Sequence, residues 1–112
     1  MQKLLNTLKS LSDETRLRII NLLYEKELCV CDLMETLQVT QTKVSRHLSY
    51  LKNAGLVSDR KHAQWVYYSI IQDDENKFLD TLVFNNLRSK ELFNNDLESL
   101  YEWLQRKNIA CD

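Results

Sequence analysis

Apolar residues recur at three- and four-residue intervals through the first half of the chain, and this spacing predicts four helices. The first is amphipathic and begins near the N-terminus, and Ser12 or Asp13 is placed to cap the second. A short third helix covers residues 31–37. Thr40 is placed to cap the fourth, which ends near Gly55, the only glycine in the chain.

The fourth predicted helix carries two stripes of different chemistry. Val44, Leu48 and Leu51 recur at i, i+4 and i+7 and form an apolar stripe for the core. The other stripe is polar and cationic, and after a short helix and a turn this layout is typical of a recognition helix in the major groove of DNA. A solvated helix face is the alternative interpretation. The side chains expected to reach base edges or phosphates are Gln41, Thr42, Lys43, Ser45, Arg46, His47 and Tyr50.

The apolar period then changes to two, which predicts a β-hairpin over about residues 56–70. Its turn at residues 62–64 contains Ala63, although hairpin turns often require glycine at a positive φ. A hairpin directly after a recognition helix makes a winged helix, whose wing contacts the DNA backbone or the minor groove. Completion of the core sheet is the alternative role. The wing residues expected to contact DNA are Arg60, Lys61, His62 and Gln64.

The C-terminal third is predicted to be helical and acidic. Apolar residues at helical spacing run through residues 75–107, and Asn95 with Glu98 resembles a capping box that opens a last helix. A small winged-helix core cannot cover all of this apolar surface. We therefore expect residues 1–10 and 75–107 to form a homodimer interface, with core packing inside one chain as the alternative.

Together these elements predict one α+β, mostly helical domain over residues 1–112. It is a winged helix-turn-helix, with the helix-turn-helix at about 31–54, the wing at about 56–70 and a C-terminal helical dimerisation segment. No apolar run approaches the roughly 18 residues that cross a bilayer. The N-terminus also lacks the apolar core of a signal peptide, so we expect a cytoplasmic protein with no membrane partner.

A net charge of −1 would argue against nucleic-acid binding if the charge were uniform, but charge is unevenly distributed along the chain. Residues 41–64 carry five Lys and Arg against one Asp, whereas residues 65–112 carry five against nine Asp and Glu. Cationic charge confined to the recognition helix and wing is expected of a small DNA-contacting surface on a neutral body. Double-stranded DNA is therefore the expected partner.

Three cysteines, Cys29, Cys31 and Cys111, are the candidate metal ligands. An odd number of thiols in a reducing compartment favours metal or redox chemistry over a disulfide framework, with small buried hydrophobes as the alternative. Two of the cysteines lie at the entry to the third helix, where the helix dipole also favours Asp32. Because thiolate selects soft ions, this placement predicts a soft-ion sensor coupled to DNA affinity.

The spacing of Cys29 and Cys31 constrains how they share an ion. On an α-helix, residues i and i+2 are rotated by about 200° and point apart. In an extended chain they share a face, with Cα atoms about 6.6 Å apart. We therefore expect chelation to require or enforce unwinding at the start of the third helix, which shifts the helix-turn-helix.

Several segments of the chain resemble one known family, in order and in register over about residues 8–70. These segments are 11–19, 27–33, 45–48 with 51–57, and 59–61 with 65–68, and they look like the ArsR family of metalloregulatory repressors. The resemblance implies a homodimeric winged-helix repressor that binds its operator when empty and leaves it when an inducer binds. The run Glu-Leu-Cys-Val-Cys-Asp-Leu is similar to that of arsenite and antimonite sensors. That likeness implies Cys29 and Cys31 as ligands, arsenite or antimonite as inducer and no required cofactor.

One position departs from the arsenic-sensing pattern, which often has a third cysteine where this chain has Met34. A thioether is a poor substitute for thiolate toward a trivalent metalloid, so Cys111 or a small thiol is considered as the third ligand. Cadmium and lead sensors add cysteines upstream of the first helix, and zinc sensors use histidine and acidic pairs on a late helix that here holds no histidine. A redox- or persulfide-responsive repressor, or one for another soft metal, is the alternative function. A cysteine enzyme is disfavoured, because no Asp or Asn is evident to orient His47 or His62.

Overall fold

The computed structural model describes residues 1–110, which adopt a winged helix-turn-helix fold. Two helices precede a short strand and the helix-turn-helix, and a β-hairpin leads into a helical C-terminal third. The α+β, mostly helical prediction is confirmed. The elements are α1 (Gln2–Leu11), α2 (Glu14–Leu23), β1 (Leu28–Cys29), α3 (Val30–Leu37), α4 (Gln41–Asn53), β2 (Val57–His62), β3 (Trp65–Ile70), α5 (Phe78–Thr81) and α6 (Glu91–Ala110), with 3₁₀ turns at Asp74–Asn76 and Leu87–Ser89 and a π-helical turn at Leu82–Asn86.

The boundaries of α2 and α4 follow local capping signals. Asp13 Oδ1 accepts a hydrogen bond from the Arg16 backbone N–H at 3.0 Å and caps α2. Thr40 Oγ1 accepts from the Lys43 backbone N–H at 3.3 Å and caps α4. Gly55 follows α4 with a φ of 81°, a left-handed conformation that favours glycine. The predictions for these three helix ends are confirmed.

The core lies between the helices and the small sheet. The apolar stripe of α4 is fully buried, with Val44, Leu48 and Leu51 each 0% exposed, as its spacing predicts. The three strands are antiparallel in the order β1-β3-β2, so the second wing strand is central. In this register Cys29 pairs with Tyr67, which joins the entry of α3 to the wing.

The last helix differs from its prediction. It begins at Glu91, so Asn95 lies inside α6 and the predicted capping box is wrong. Phe93, Leu100 and Trp103 on this helix are 5%, 0% and 8% exposed, and α6 packs against α2 and α3 of the same chain. Core packing, the alternative interpretation, therefore accounts for most of the apolar stripe of α6.

Exposed apolar side chains concentrate on α1 and on the segment after β3. Leu4, Leu5 and Leu8 are 53%, 42% and 51% exposed, and Phe78 and Phe84 are 41% and 53% exposed. Leu4 and Phe78 line the same surface pocket, and exposed apolar side chains grouped in this way often mark an interaction site. This apolar surface does not belong to a membrane span, because within the described chain no helix is long and apolar enough to cross a bilayer.

The wing turn is strained at Ala63. The two-residue turn Ala63–Gln64 joins β2 to β3, with His62 paired to Trp65. Ala63 has a φ of 57° and Gln64 is not among the positive-φ residues, which is the type II′ pattern. Glycine is usual at the first central position of this turn, because a Cβ at positive φ crowds the following carbonyl.

Replacing Ala63 by glycine should stabilise the protein, because relief of the Cβ strain exceeds the entropy that glycine adds to the unfolded chain. We expect the free energy of unfolding, measured by urea titration, to rise by about 0.5 kcal/mol. Ala54→Gly is the control, since Ala54 has a φ of −81° at the end of α4 and the substitution there should destabilise. Equal effects at both positions would contradict the turn assignment.

Candidate nucleic-acid interface and thiol cleft

The recognition helix α4 presents most of its predicted DNA-contacting side chains to solvent. Burial of its apolar stripe fixes the rotation of the helix, so the polar stripe faces outward. None of the ion pairs found in residues 1–110 involves Lys43 or Arg46, so neither side chain has to leave an acidic partner to meet a phosphate. Exposed on α4 are Gln41, Thr42, Lys43, Arg46 and Tyr50, and Ser45 is half-buried.

His47 differs from the rest of the predicted stripe because it is buried. The residue is 8% exposed, and Arg16 Nη1 donates to its Nδ1 at 3.1 Å. Burial lowers the pKa of His47, and the opposing effect of Asp13 is smaller. The structure thus corrects the placement of His47 on the exposed stripe: its imidazole connects α4 to α2.

Arg16 packs against the recognition helix and helps to hold it in place, a role that was not predicted from the sequence. Its guanidinium carbon lies 4.2 Å from the centre of the Tyr50 ring, a cation–π contact. Its Nε donates to the Ser10 carbonyl at 2.6 Å, near the end of α1. In the sequence, the sign of a structural role for Arg16 is limited to its position three residues after the helix cap Asp13.

The wing exposes its predicted contact residues, but one of its cations is already paired. Lys61, His62 and Gln64 are exposed, as is Arg60. Arg60 Nε and Nη2 donate to the two carboxylate oxygens of Glu27 at 2.7 and 2.6 Å. This bidentate pair raises the pKa of Arg60 and lowers the pKa of Glu27. This pair could not be predicted from local spacing, because the partners are 33 residues apart.

The two described cysteines occupy different environments at the start of α3. Cys29 is 5% exposed and is the N-cap residue, with an extended backbone at φ −92° and ψ 171°. Burial raises the pKa of its thiol. Cys31 is half-buried in the first turn of the helix. The third predicted ligand, Cys111, lies outside the described residues.

Both cysteines border one open cleft of about 340 Å³, which we call the thiol cleft. It brings the thiols next to Gln41, the first residue of the recognition helix, and Gln64 in the wing turn. Within residues 1–110 no group of three His, Cys, Asp or Glu side chains is placed to hold a metal ion. The residues lining the cleft are Cys29, Val30, Cys31, Met34, Gln41, Gln64, Trp65 and Val66.

Asp32 connects the thiol cleft to the last helix. Its carboxylate is buried and accepts hydrogen bonds from the Cys29 backbone N–H at 3.0 Å, Trp103 Nε1 at 2.9 Å and Lys107 Nζ at 2.8 Å. Burial alone would raise the pKa of Asp32, but these donors outweigh it and hold the pKa below its usual range. The position of Asp32 in the field of the helix dipole is evident from the sequence, whereas its two partners on α6 are not.

Comparison with known proteins decides the family. Residues 13–59 match the family model described as "Bacterial regulatory protein, arsR family". The solved structure of reduced HlyU from Vibrio cholerae is similar to this chain, with a TM-score of 0.66 and 34% identity, and the likeness covers 72% of this chain and 85% of that one. The chain belongs to the ArsR family. The members of this family and the V. cholerae relative are transcription regulators rather than enzymes.

Two further relatives extend the comparison within the ArsR family. The arsenical resistance operon repressor of Escherichia coli K12 is 54% identical over 63 residues, which are 55% of this chain and 54% of the repressor. The chain thus spans about half the length of that relative. A homodimeric winged helix-turn-helix DNA-binding domain from Mycobacterium bovis, solved by NMR, has a TM-score of 0.66 and 25% identity, covering 80% of this chain and 86% of that one.

Asp32→Ala should destabilise this ArsR-family protein strongly, because it leaves Lys107 Nζ and Trp103 Nε1 without their buried acceptor. Lys107 is held at a site where its side chain is 14% exposed. We expect the free energy of unfolding to fall by about 3 kcal/mol at neutral pH. Asp74→Ala, at a side chain 96% exposed, is the matched control and should change stability by less than about 0.5 kcal/mol.

The destabilisation by Asp32→Ala should also depend on pH. Because the folded-state pKa of Asp32 lies below its unfolded value, its stabilisation is fully present above about pH 4 and is lost as the pH falls through the folded pKa. The difference between wild type and variant should therefore shrink below about pH 4. A difference that grows on acidification would show that the carboxylate is not held ionised.

Proposed function

We propose that this protein is a homodimeric, sequence-specific DNA-binding transcriptional repressor that leaves its operator when arsenite or antimonite binds the thiolates of Cys29 and Cys31. In this proposal α4 and the wing contact double-stranded DNA. The observation that carries it is the thiol cleft, in which the two cysteines lie beside Gln41 and Gln64. An inducer bound there meets both DNA-contacting elements at once.

The charge and exposure of α4 and the wing support DNA binding. Lys43, Arg46 and Lys61 are exposed and take part in none of the ion pairs that the described residues form. Lysine and arginine that neutralise phosphates supply most of the affinity and position the protein on the duplex. The contact between Arg16 and His47 joins the recognition helix to α2. A helix that is already held in place loses less entropy when it enters the groove.

Dimerisation is supported by the exposed apolar surface of α1 together with Phe78 and Phe84. The related M. bovis domain is homodimeric. A second copy of the chain buries the same surface on both subunits, as a two-fold interface requires. Two recognition helices then lie about 34 Å apart on one face of the operator.

The residues around the thiols support a trivalent metalloid as inducer. Thiolates are the soft ligands that such an ion prefers, and the E. coli relative is an arsenical resistance repressor. Cys29 is already extended, whereas Cys31 lies in the first helical turn of α3. The two sulfurs converge on one ion when that turn unwinds, since i and i+2 side chains share a face only in an extended chain.

Unwinding of the first turn of α3 has direct consequences for DNA contact. It displaces the Cys29 backbone, which is hydrogen-bonded to Asp32 and paired with Tyr67 of the wing. It also moves the wall of the thiol cleft that faces Gln41. Near-complete release requires the inducer to prefer the DNA-incompetent state by about 5.5 kcal/mol, which two bonds between thiolates and a soft ion can supply.

A second candidate is a thiol redox switch on the same fold. The V. cholerae relative was solved in a state described as reduced, and Cys31 is half-buried beside an open cleft. Oxidation of a thiol in the cleft changes its size and polarity and disturbs the same turn of α3. Peroxide and arsenite therefore have to be compared on one preformed DNA complex.

Replacing both cleft thiols should separate DNA binding from induction. In Cys29→Ser/Cys31→Ser, operator affinity should stay within about threefold of wild type, because neither side chain belongs to the DNA-contacting set, and arsenite should no longer release the DNA. Fluorescence anisotropy on a duplex selected from a random pool measures both. Cys111→Ser is the matched control and reports whether that thiol is needed. Undiminished arsenite release from the double variant would refute the proposed inducer site.

The DNA-contacting role of the wing should appear in the salt dependence. Lys61→Ala should reduce the slope of log K against log salt by about 1, because one phosphate contact is lost. Lys90→Ala is the matched control, since Lys90 is also exposed but lies 20 residues after the end of β3, outside the wing. An unchanged slope for Lys61→Ala would remove the wing from the interface.

A further inference from the structure

A hydrogen bond behind the recognition helix fixes the protonation state of a buried histidine. Arg16 Nη1 lies 3.1 Å from Nδ1 of His47. A guanidinium carries only N–H donors and is not deprotonated in proteins, so Nδ1 has to be the acceptor. The imidazole of His47 is therefore neutral in this arrangement, and its proton is on Nε2.

The guanidinium of Arg16 is fixed by further contacts with α1 and α4. Its side chain is 13% exposed, and Nε donates to the Ser10 carbonyl at 2.6 Å. Its central carbon lies 4.2 Å from the centre of the Tyr50 ring, and Tyr50 is one of the proposed DNA-contacting residues. Arg16 thus connects the end of α1 to two side chains of α4, the buried His47 and the exposed Tyr50.

Protonation of His47 places a positive charge and an N–H where Nδ1 now accepts. Two donors then face each other across 3.1 Å and two cations repel, so the contact breaks. The charged groups that act on the imidazole come from the start of α2 and from α4, and they are Asp13, Arg16, Lys43 and Arg46. Burial and the three cations outweigh Asp13 and keep the pKa of His47 below its usual value. The neutral form is the one that joins α4 to α2.

We propose that Arg16 is a positioning residue for the recognition helix and that protonation of His47 breaks the contact through which it acts. The proton comes from solvent and binds Nδ1. Operator affinity then falls between neutral and mildly acidic pH. The proposal rests on the part of the proposed function that places α4 in the major groove, and it adds a response to protons in which the thiols take no part.

Packing is the ordinary role of a buried histidine, and that role does not require a group that titrates. The amide oxygen of glutamine can accept the same hydrogen bond from Arg16 and stays neutral at every pH. His47→Gln therefore separates packing from titration. The other histidine of the chain, His62, is exposed in the wing and is replaced by glutamine in every protein of the test, so that His47 is the one remaining imidazole.

Operator affinity is measured by fluorescence anisotropy at pH 7.5 and pH 5.5, with the full-length His62→Gln protein as the parent and circular dichroism to verify folding at both values. The affinity of the parent should fall about threefold on acidification, because the imidazolium fraction grows through this range. With His47→Gln added, it should change by less than about 1.5-fold. An equal fall in both proteins would overturn the proposal. A rise in the affinity of the parent would also overturn it, since a charged His47 would then be binding phosphate.

The protonation state of His47 is read directly by NMR on the parent labelled with ¹⁵N-histidine. Long-range ¹H–¹⁵N spectra at pH 7.5 should show the Nε2–H tautomer, and an Nδ1–H tautomer would refute the pairing with Arg16. Operator binding that does not change with pH would refute this inference alone. Failure of arsenite to release the DNA would instead refute the proposed inducer and leave this inference standing. A parent that binds no DNA at either pH would refute the DNA-contacting role of α4 and this inference with it.

Discussion

A buried carboxylate holds together the parts of this protein that its proposed function has to connect. The three donors to Asp32 come from the end of β1, through the Cys29 N–H, and from two side chains of α6, Trp103 and Lys107. An ionised carboxylate in the interior of a protein costs several kcal/mol of stability unless its oxygens accept hydrogen bonds or pair with a cation. The hydrogen bonds to Asp32 therefore make the start of α3 and the end of the last helix stabilise each other. Residues more than 70 positions apart thus form one structural unit.

The same few residues link the thiols to the DNA-contacting elements over a short distance. Cys29 belongs to a strand that pairs with Tyr67 in the wing, and the cleft beside it reaches Gln41 on the recognition helix. Coupling between the proposed inducer site and the proposed DNA surface does not have to pass through a long chain of contacts, because residues of both line the same cleft. In the proposed mechanism one helical turn changes on binding, and such local elements with two discrete arrangements are the physical basis of switching.

The limits of the sequence analysis follow from the range of the interactions. The caps at Asp13 and Thr40 and the buried stripe of α4 depend on residues within one or two helical turns, and the sequence predicted them. Burial of His47 could not be predicted, because it depends on where α2 packs. The partners of Asp32 are 71 and 75 residues away, and spacing along the chain carries no information about them. The apolar stripe of α6 was recognised, but its periodicity is the same whether a neighbouring helix or a second subunit covers it.

Glu27 competes with any approaching phosphate for the guanidinium of Arg60 in the wing. The guanidinium is already bound to both oxygens of one carboxylate. A phosphate that binds Arg60 therefore gains only the difference between its own attraction for the guanidinium and the attraction of the carboxylate that it displaces. Glu27 directly precedes the strand that ends in Cys29. A shift of that strand changes how tightly the arginine is sequestered. The attraction of the wing for phosphate therefore depends on the position of the strand that carries Cys29, through an ion pair that contains neither thiol.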